Sequence, residues 1–268
     1  RGHAAYETGQ LEDAAYFWRK AADVPNSPSE SIAQVLFNRG VTQGQLNQNE
    51  AAIATCDELV RRFGESTDPV LREQVANALF WKGISQEQLN QREAAITTFE
   101  ELLHRFGEAK EPEMWEQVAG ALLWKGITQG ELNQGETAIT TFDELLHRFG
   151  EATESALRIQ VARTLVWKGV TQSQLNKNEA AITTYDDVLR RLGEATEPAL
   201  HNQVAAALLN MGLNQSLLSQ NEAAIASYDE LVRRFGDNTK PALQETVASA
   251  LKAKELALQQ MQARTLKQ

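Results

Sequence analysis

Cysteine, proline and long apolar runs are what this sequence has least of. Its 268 residues include one cysteine, six prolines and four histidines. One thiol cannot close an internal disulfide, and with scattered histidines it gives no framework for a structural zinc. The expected compartment is therefore a reducing, cytoplasmic one. No stretch approaches the roughly 18 apolar residues of a membrane span, and Arg1-Gly2-His3 has none of the pattern of a secretory leader. The chain does not begin with methionine, which reads as a fragment separated from any targeting signal. Basic residues are also scarce, 26 against 36 acidic, for a net charge of -10. A field of that sign repels polyanions, so neither nucleic acid nor an anionic membrane is expected as a partner, a local basic groove excepted. Glycine, by contrast, is plentiful at sixteen.

The glycines reveal a repeat. Gly40, Gly83, Gly126, Gly169 and Gly212 lie 43 residues apart. Around them recur Lys-Gly, Gln-x-x-Leu-Asn, Glu-Ala-Ala-Ile and a basic pair before Phe-Gly, as at Phe63-Gly64, Phe106-Gly107, Phe149-Gly150 and Phe235-Gly236, with Leu192-Gly193 the variant. Five periods fit, at 28–68, 69–111, 112–154, 155–197 and 198–240, between a partial unit at 1–27 and a closing helix at 241–268. Gly2, Gly9, Ala14 and Trp18 repeat the spacing of Gly83, Asn90, Ala95 and Phe99.

Each period reads as two helices. The first begins at Pro69, Pro112, Pro198 or Pro241, since proline suits the first helical position, with Glu154-Ser155 as the substitute in one copy. It runs about twenty residues, roughly 30 Å, to Leu46-Asn47, Leu89-Asn90, Leu132-Asn133 and Leu175-Asn176, where asparagine tolerates a left-handed turn. The second helix starts at Glu50, Glu93, Glu136, Glu179 and Glu222 and ends at the Phe-Gly glycine, expected to cap it with positive φ. Pairs such as Asp57 to Arg61, Glu58 to Arg62, Glu101 to Arg105, Glu144 to Arg148, Asp187 to Arg191 and Glu230 to Arg234 give the second helix an ion-paired outer face.

A glycine inside a helix costs about 1 kcal/mol relative to alanine, so its recurrence requires a packing reason. The expected partner is the small residue twelve positions on, Ala52, Ala95, Ala138, Ala181 or Ala224. The slot Cys56, Phe99, Phe142, Tyr185 and Tyr228 fills the space beside that contact, which makes Cys56 a core residue rather than a reactive thiol.

These residues resemble the tetratricopeptide repeat. Gly83 matches that family's small residue in the first helix, Asn90 its turn, Ala95 its small residue in the second helix and Phe99 its aromatic. The resemblance covers essentially the whole chain, with a period longer than the family's usual 34 residues; the extra residues fall between the Phe-Gly step and the next helix, as in the long-repeat variants. It implies one all-α domain over 1–268, a right-handed superhelical solenoid of antiparallel helix hairpins, with first helices lining the concave surface. The segment from Pro241, polar through Gln259, Gln260, Gln262 and Lys267, suits a capping helix. The opposite end is expected to lack a cap and to expose apolar surface around Tyr6, Ala15 and Trp18.

No enzymatic constellation is present: there is no HExxH, GxSxG, P-loop, dinucleotide fingerprint or CxxC. The chain is read as non-enzymatic, with no cofactor and no metal. His104 and His147 share a slot held by arginine elsewhere and read as surface residues. Binding specificity is sought where near-identical copies differ, on one side of the first helix. The slot two before the glycine holds Asn38, Trp81, Trp124, Trp167 and Asn210, and that six before it includes Asn77 and Arg163. The slot five after it includes Gln88 and Glu131. Asn38, Asn77, Trp81, Gln88, Trp124, Glu131, Arg163, Trp167 and Asn210 are the candidate groove residues. Either the indoles stack on a peptide whose backbone the asparagines bond, or each indole packs on the next helix. The slot just after the glycine is apolar throughout and reads as helix packing. Gln43, Gln86, Gln129, Gln172 and Gln215 read as a hydrogen-bonded column between neighbouring units. Lys82, Lys125, Lys168 and Lys254 read as lysine stems beside acidic neighbours. The paired Lys and Asn that the family uses to clamp chaperone tails are absent.

The function expected is a scaffold binding a protein or peptide segment in the concave groove. Two alternatives stand beside it: self-assembly through the uncapped N-terminal end into a homo-oligomer, and service as the sensor part of a larger regulator.

Overall fold

Left-handed turns divide the chain into hairpins. Asn47, Asn90, Asn133, Asn176 and Ser219 all sit at φ between 56° and 61°. Four are the asparagines expected there, and Ser219 occupies the same place in the last full copy. The computed structural model describes residues 1–22, 24, 27–109, 111–195 and 197–265. The closing residues of the expected cap, including Lys267, lie outside them.

The described residues group into two compact units, Arg1–Leu132 and Asn133–Gln268. The first holds α1 (Gly2–Glu7), α2 (Leu11–Ala22), α3 (Ser29–Gln45), α4 (Asn49–Phe63), α5 (Pro69–Gln88), α6 (Arg92–Phe106) and α7 (Trp115–Glu131). The second holds α8 (Gly135–Phe149), α9 (Ser155–Gln174), α10 (Asn178–Leu192), α11 (Pro198–Leu217), α12 (Asn221–Phe235) and α13 (Pro241–Thr265). Within each unit every helix packs on the next one in the chain, and α3 on α5, α9 on α11 and α11 on α13. No strand occurs among the described residues. The fold is thus all-α, a stack of helix hairpins.

Helix starts follow the sequence closely. Asp68 accepts hydrogen bonds from the amides of Val70 (2.9 Å) and Leu71 (3.1 Å) ahead of α5. Proline occupies the first position of α5, α11 and α13. At Pro112 the chain makes a short 3-10 turn, Pro112–Met114, before α7 begins at Trp115. The turn is fastened by the Trp115 indole, which donates to the Ala109 carbonyl at 3.2 Å.

Three packing expectations are corrected. The glycine of the first helix faces the aromatic slot sixteen residues on, not the alanine at twelve. A methyl on Gly83 would strike the Phe99 ring, with Cζ only 2.6 Å away, and one on Gly169 would sit 2.6 Å from Tyr185 Cζ. A fully buried ring lies against the helix backbone there, and no side chain fits between them. The Phe-Gly glycines do not take positive φ: Gly64, Gly107, Gly150, Gly193 and Gly236 all stay right-handed, at -54° to -59°. Glycine is required because the last turn is tight. A side chain on Gly64 would lie 3.0 Å from Arg105 Nη1 and closer still to the Val60 carbonyl oxygen, a clash no rotamer relieves.

The glutamine column is the third. Gln43, Gln86 and Gln172 each accept a hydrogen bond at 2.7 Å from Thr55, Thr98 and Thr184, and Gln215 one at 2.8 Å from Ser227. All four bonds lie inside one hairpin, tying its first helix to its second. The hydroxyl twelve residues beyond each glutamine was the signal in the sequence.

Neighbouring hairpins are joined by the lysines instead. Lys82 meets Asp57 at 2.6 Å, Lys125 meets Glu100 at 3.0 Å, Lys168 meets Asp143 at 2.6 Å, and Lys254 pairs with Asp229. Asp57 therefore reaches across to the next hairpin. Glu58–Arg62, Glu101–Arg105, Glu144–Arg148, Asp187–Arg191 and Glu230–Arg234 pair along their own helices as expected. Arg191 and Arg234 also donate to the carbonyls of Gly150 (3.0 Å) and Gly193 (2.8 Å), placing positive charge at the C-terminus of the preceding second helix.

The ends differ from expectation as well. Trp18 is 6% exposed, not an open apolar surface, because α1 lays Gly2 against its ring at 2.8 Å. Tyr6 is half-buried and its hydroxyl accepts a 2.7 Å hydrogen bond from Gln45. At the other end Leu251, Leu256 and Leu258 of α13 are at least 40% exposed. Leu251 occupies the slot of Leu36, Leu79, Leu122, Leu165 and Leu208, all buried against a second helix that α13 lacks.

Candidate functional site

The variable slots fall on the first helix of each hairpin, where the constant slots are already committed. In the first unit, Asn38 on α3 ends a chain of three amides. Gln74 donates to Gln34 at 3.3 Å, Gln34 donates to Asn38 Oδ1 at 3.1 Å, and the Asn38 amide nitrogen is left buried with no partner. On α5, Asn77 accepts a 2.6 Å hydrogen bond from Gln117 of α7, which ties it to the next hairpin. Trp81 is half-buried and meets Phe80 edge to face, ring centroids 6.1 Å apart. Gln88 is exposed. On α7, Trp124 is half-buried, while Glu131 is exposed and pairs with Arg92 at 2.7 Å. Glu131 also repels Glu87, whose carboxyl burial already pushes up; Thr128 donates to that carboxylate.

In the second unit, Trp167 on α9 is 37% exposed. Arg163, one turn before it, is half-buried, and burial lowers its guanidinium from the usual range. Asn210 on α11 is half-buried, and its backbone carbonyl accepts from the Asn214 side chain at 2.8 Å. The slot after the glycine is packing surface for Ile84 and Ile127, both buried, but not for Leu213, which is 41% exposed. Leu217, one turn on, is 69% exposed. Leu217 holds a slot that is Gln45, Gln88, Glu131 and Gln174 in the other copies, and that switch from polar to apolar was legible in the sequence.

Asn38 and Trp81 come together around one cavity of the first unit, about 190 Å³ in volume, whose wall also holds His3, Tyr6, Trp18, Phe37 and Val41. The sequence did not place α1 and α2 there, because nothing local says how a shortened first unit docks on α3.

Among the described residues no cluster of three or more His, Cys, Asp or Glu could hold a metal ion. Cys56 is buried, and burial pushes its thiol up to about 12, where almost no thiolate exists at neutral pH. No helix among the described residues is long and apolar enough to cross a membrane.

No curated protein matches the chain in sequence. Among solved structures, RapI in its apo form is similar at a TM-score of 0.69 with 13% identity, covering 96% of this chain and 71% of its own. BtubC from P. vanneervenii is similar at 0.67 with 15% identity, covering 87% and 92%. The Rap conjugation gene regulator of plasmid pLS20, in complex with the Phr* peptide, is similar at 0.54 with 14% identity, covering 96% and 73%. At these identities the likeness is one of fold. The family described as Tetratricopeptide repeat matches three stretches, 34–66, 77–109 and 206–238, each taking in most of one hairpin. With Gly83, Asn90, Ala95 and Phe99 in that family's places and hairpin packed on hairpin within each unit, the chain is a tetratricopeptide-repeat protein of a long, 43-residue period.

Proposed function

We propose that this chain is a non-catalytic scaffold that binds a protein or peptide segment on the faces of its first helices, the surface the family turns inward. The observation carrying this reading is that apolar side chains at the variable slots keep exposed surface. Trp167, Leu213 and Leu217 are 37%, 41% and 69% exposed, while the constant core slots at Leu79, Leu122 and Leu208 are buried to 1% or less. Large part-exposed indoles are favoured anchors for a ligand because they bury much area for little lost conformational freedom. The peptide complex of a Rap regulator, similar to this chain in fold, supports the same reading.

In this reading Trp81, Trp124 and Trp167 supply stacking surface, Asn38 and Asn210 bond the ligand backbone, and Gln88 lies at the rim. Asn77, Glu131 and Arg163 shape the same face. The test replaces Trp81, Trp124 and Trp167 by alanine together and measures binding of peptides selected from a displayed library on the wild-type chain. Affinity should fall at least tenfold with the helical signal intact. A lowered melting temperature with unchanged peptide affinity assigns the indoles to packing and refutes the proposal.

A further inference from the structure

The cavity walled by α1, α2, α3 and α5 differs from a plain apolar groove in its polar atoms. Trp18 is 6% exposed, and its indole N–H has no hydrogen-bond partner; the Asn38 amide nitrogen is likewise buried and unpartnered. The amide chain Gln74 to Gln34 to Asn38 runs in one direction, so the Asn38 oxygen is used and the nitrogen is the spare end. Two buried donors on one small wall are costly unless an acceptor meets them. The rest of that wall is aromatic and aliphatic, and it contains no Lys, Arg, Asp or Glu. His3 stands edge-on to Trp18, ring centroids 4.8 Å apart, leaving an apolar space of about 190 Å³. A cavity of roughly 150 Å³ is enough to bind benzene.

We propose that this cavity is an anchor site for one uncharged apolar side chain of a peptide, of leucine to phenylalanine size, with a carbonyl oxygen of that residue accepting from the unpartnered donors. The absence of any lysine or arginine from the wall selects a neutral carbonyl over a carboxylate. The site rests on the peptide-binding reading above and sharpens it, since it lies at α3 and α5, where the variable slots Asn38 and Trp81 meet the partial first unit. It also gives that unit a role: α1 and α2 close the end of the binding face with Trp18, His3 and Tyr6.

The experiment uses N-acetylleucinamide as probe and the indole N–H resonances of the whole chain as readout, Trp18 being assigned by its loss in Trp18→Phe. A saturable shift of the Trp18 resonance at millimolar probe is expected, with little or none for N-acetylglycinamide, which has the carbonyls but no side chain. Val41→Phe, which fills the space, should weaken the probe at least tenfold with an unchanged helical spectrum. Trp18→Phe, which keeps the ring but removes the donor, should weaken it several-fold, read on the Asn38 side-chain amide. An unmoved Trp18 resonance, or equal binding to Val41→Phe, overturns the proposal. Library peptides that bind wild type and Val41→Phe alike leave the peptide-binding reading standing and remove this site. A Trp18 shift with N-acetylleucinamide and no library binder keeps this site and removes the wider reading.

Discussion

Replacing Gly83 by alanine should destabilise the protein, and replacing Gly40 should not, although the two glycines hold the same slot. In the first helix either change gains about 1 kcal/mol of helix propensity. The difference lies across the hairpin. A Cβ on Gly83 meets the Phe99 ring at 2.6 and 2.9 Å and closer at a third carbon, well inside the roughly 3.5–4.0 Å of a good carbon contact. Phe99 is fully buried, with Phe80 at 6.4 Å between ring centroids, so the ring has nowhere to retreat. Overpacking of this kind costs up to about 3 kcal/mol, for a net loss of about 2. At Gly40 the nearest atom is Cys56 Sγ at 3.2 Å, which must yield only a few tenths of an ångström, so gain and squeeze nearly cancel. The assay is urea unfolding of Gly83→Ala, Gly40→Ala, Cys56→Phe and the double variant Gly40→Ala with Cys56→Phe. The cycle should show a coupling of about 2 kcal/mol, because the alanine becomes costly only once a ring opposes it. A neutral Gly83→Ala, or a Gly40→Ala effect identical in both backgrounds, would refute the argument that the ring dictates the glycine.

Tyr185 should tolerate, and gain from, phenylalanine. Its hydroxyl is buried with no partner, and the same slot is Phe in the hairpins of Phe99 and Phe142, so Tyr185→Phe should raise stability by about 1 kcal/mol, read as a higher urea midpoint; a loss of that size would mean the hydroxyl is satisfied. Glu87→Gln should stabilise at pH 7 by about 0.5 kcal/mol, a figure discounted for its partial exposure. Burial raises the native Glu87 carboxyl above its ordinary 4.5, so the native state holds its proton more tightly and loses stability as pH rises from 4.5 through the raised value. The benefit of glutamine should therefore be present at pH 7 and absent below about 4.5, measured by melting across that range; a benefit that grows on acidification would reverse the assignment.

The repeat, the hairpins and the left-handed turns were legible in the sequence because each depends on residues close in the chain. Asn47, Asn90, Asn133 and Asn176 needed only their own backbone preference, and the 43-residue spacing of the glycines needed only counting. The partners were less legible. Gly83 was matched to Ala95 by size, but a helix face accepts contacts at both twelve and sixteen residues across a hairpin, and only the crossing of α5 and α6 selects Phe99. Lysines such as Lys82 were seen to need acidic neighbours, yet Asp57 has Arg61 one turn away in sequence, and only the docking of α5 on α4 gives it to Lys82.

The candidate site shows the same division. Its variable slots could be read from differences among copies, and Leu217 in a glutamine slot marked itself. The cavity beside Trp18 could not, since its wall gathers α1, α2, α3 and α5 from residues 3 to 81. By itself the sequence determined the helix lengths, the turns and the period, which are set by local backbone conformation and hydrophobic spacing. Only the tertiary structure decided which side chains meet and which donors are left buried without partners, because those outcomes depend on the angle and distance at which one hairpin packs on the next.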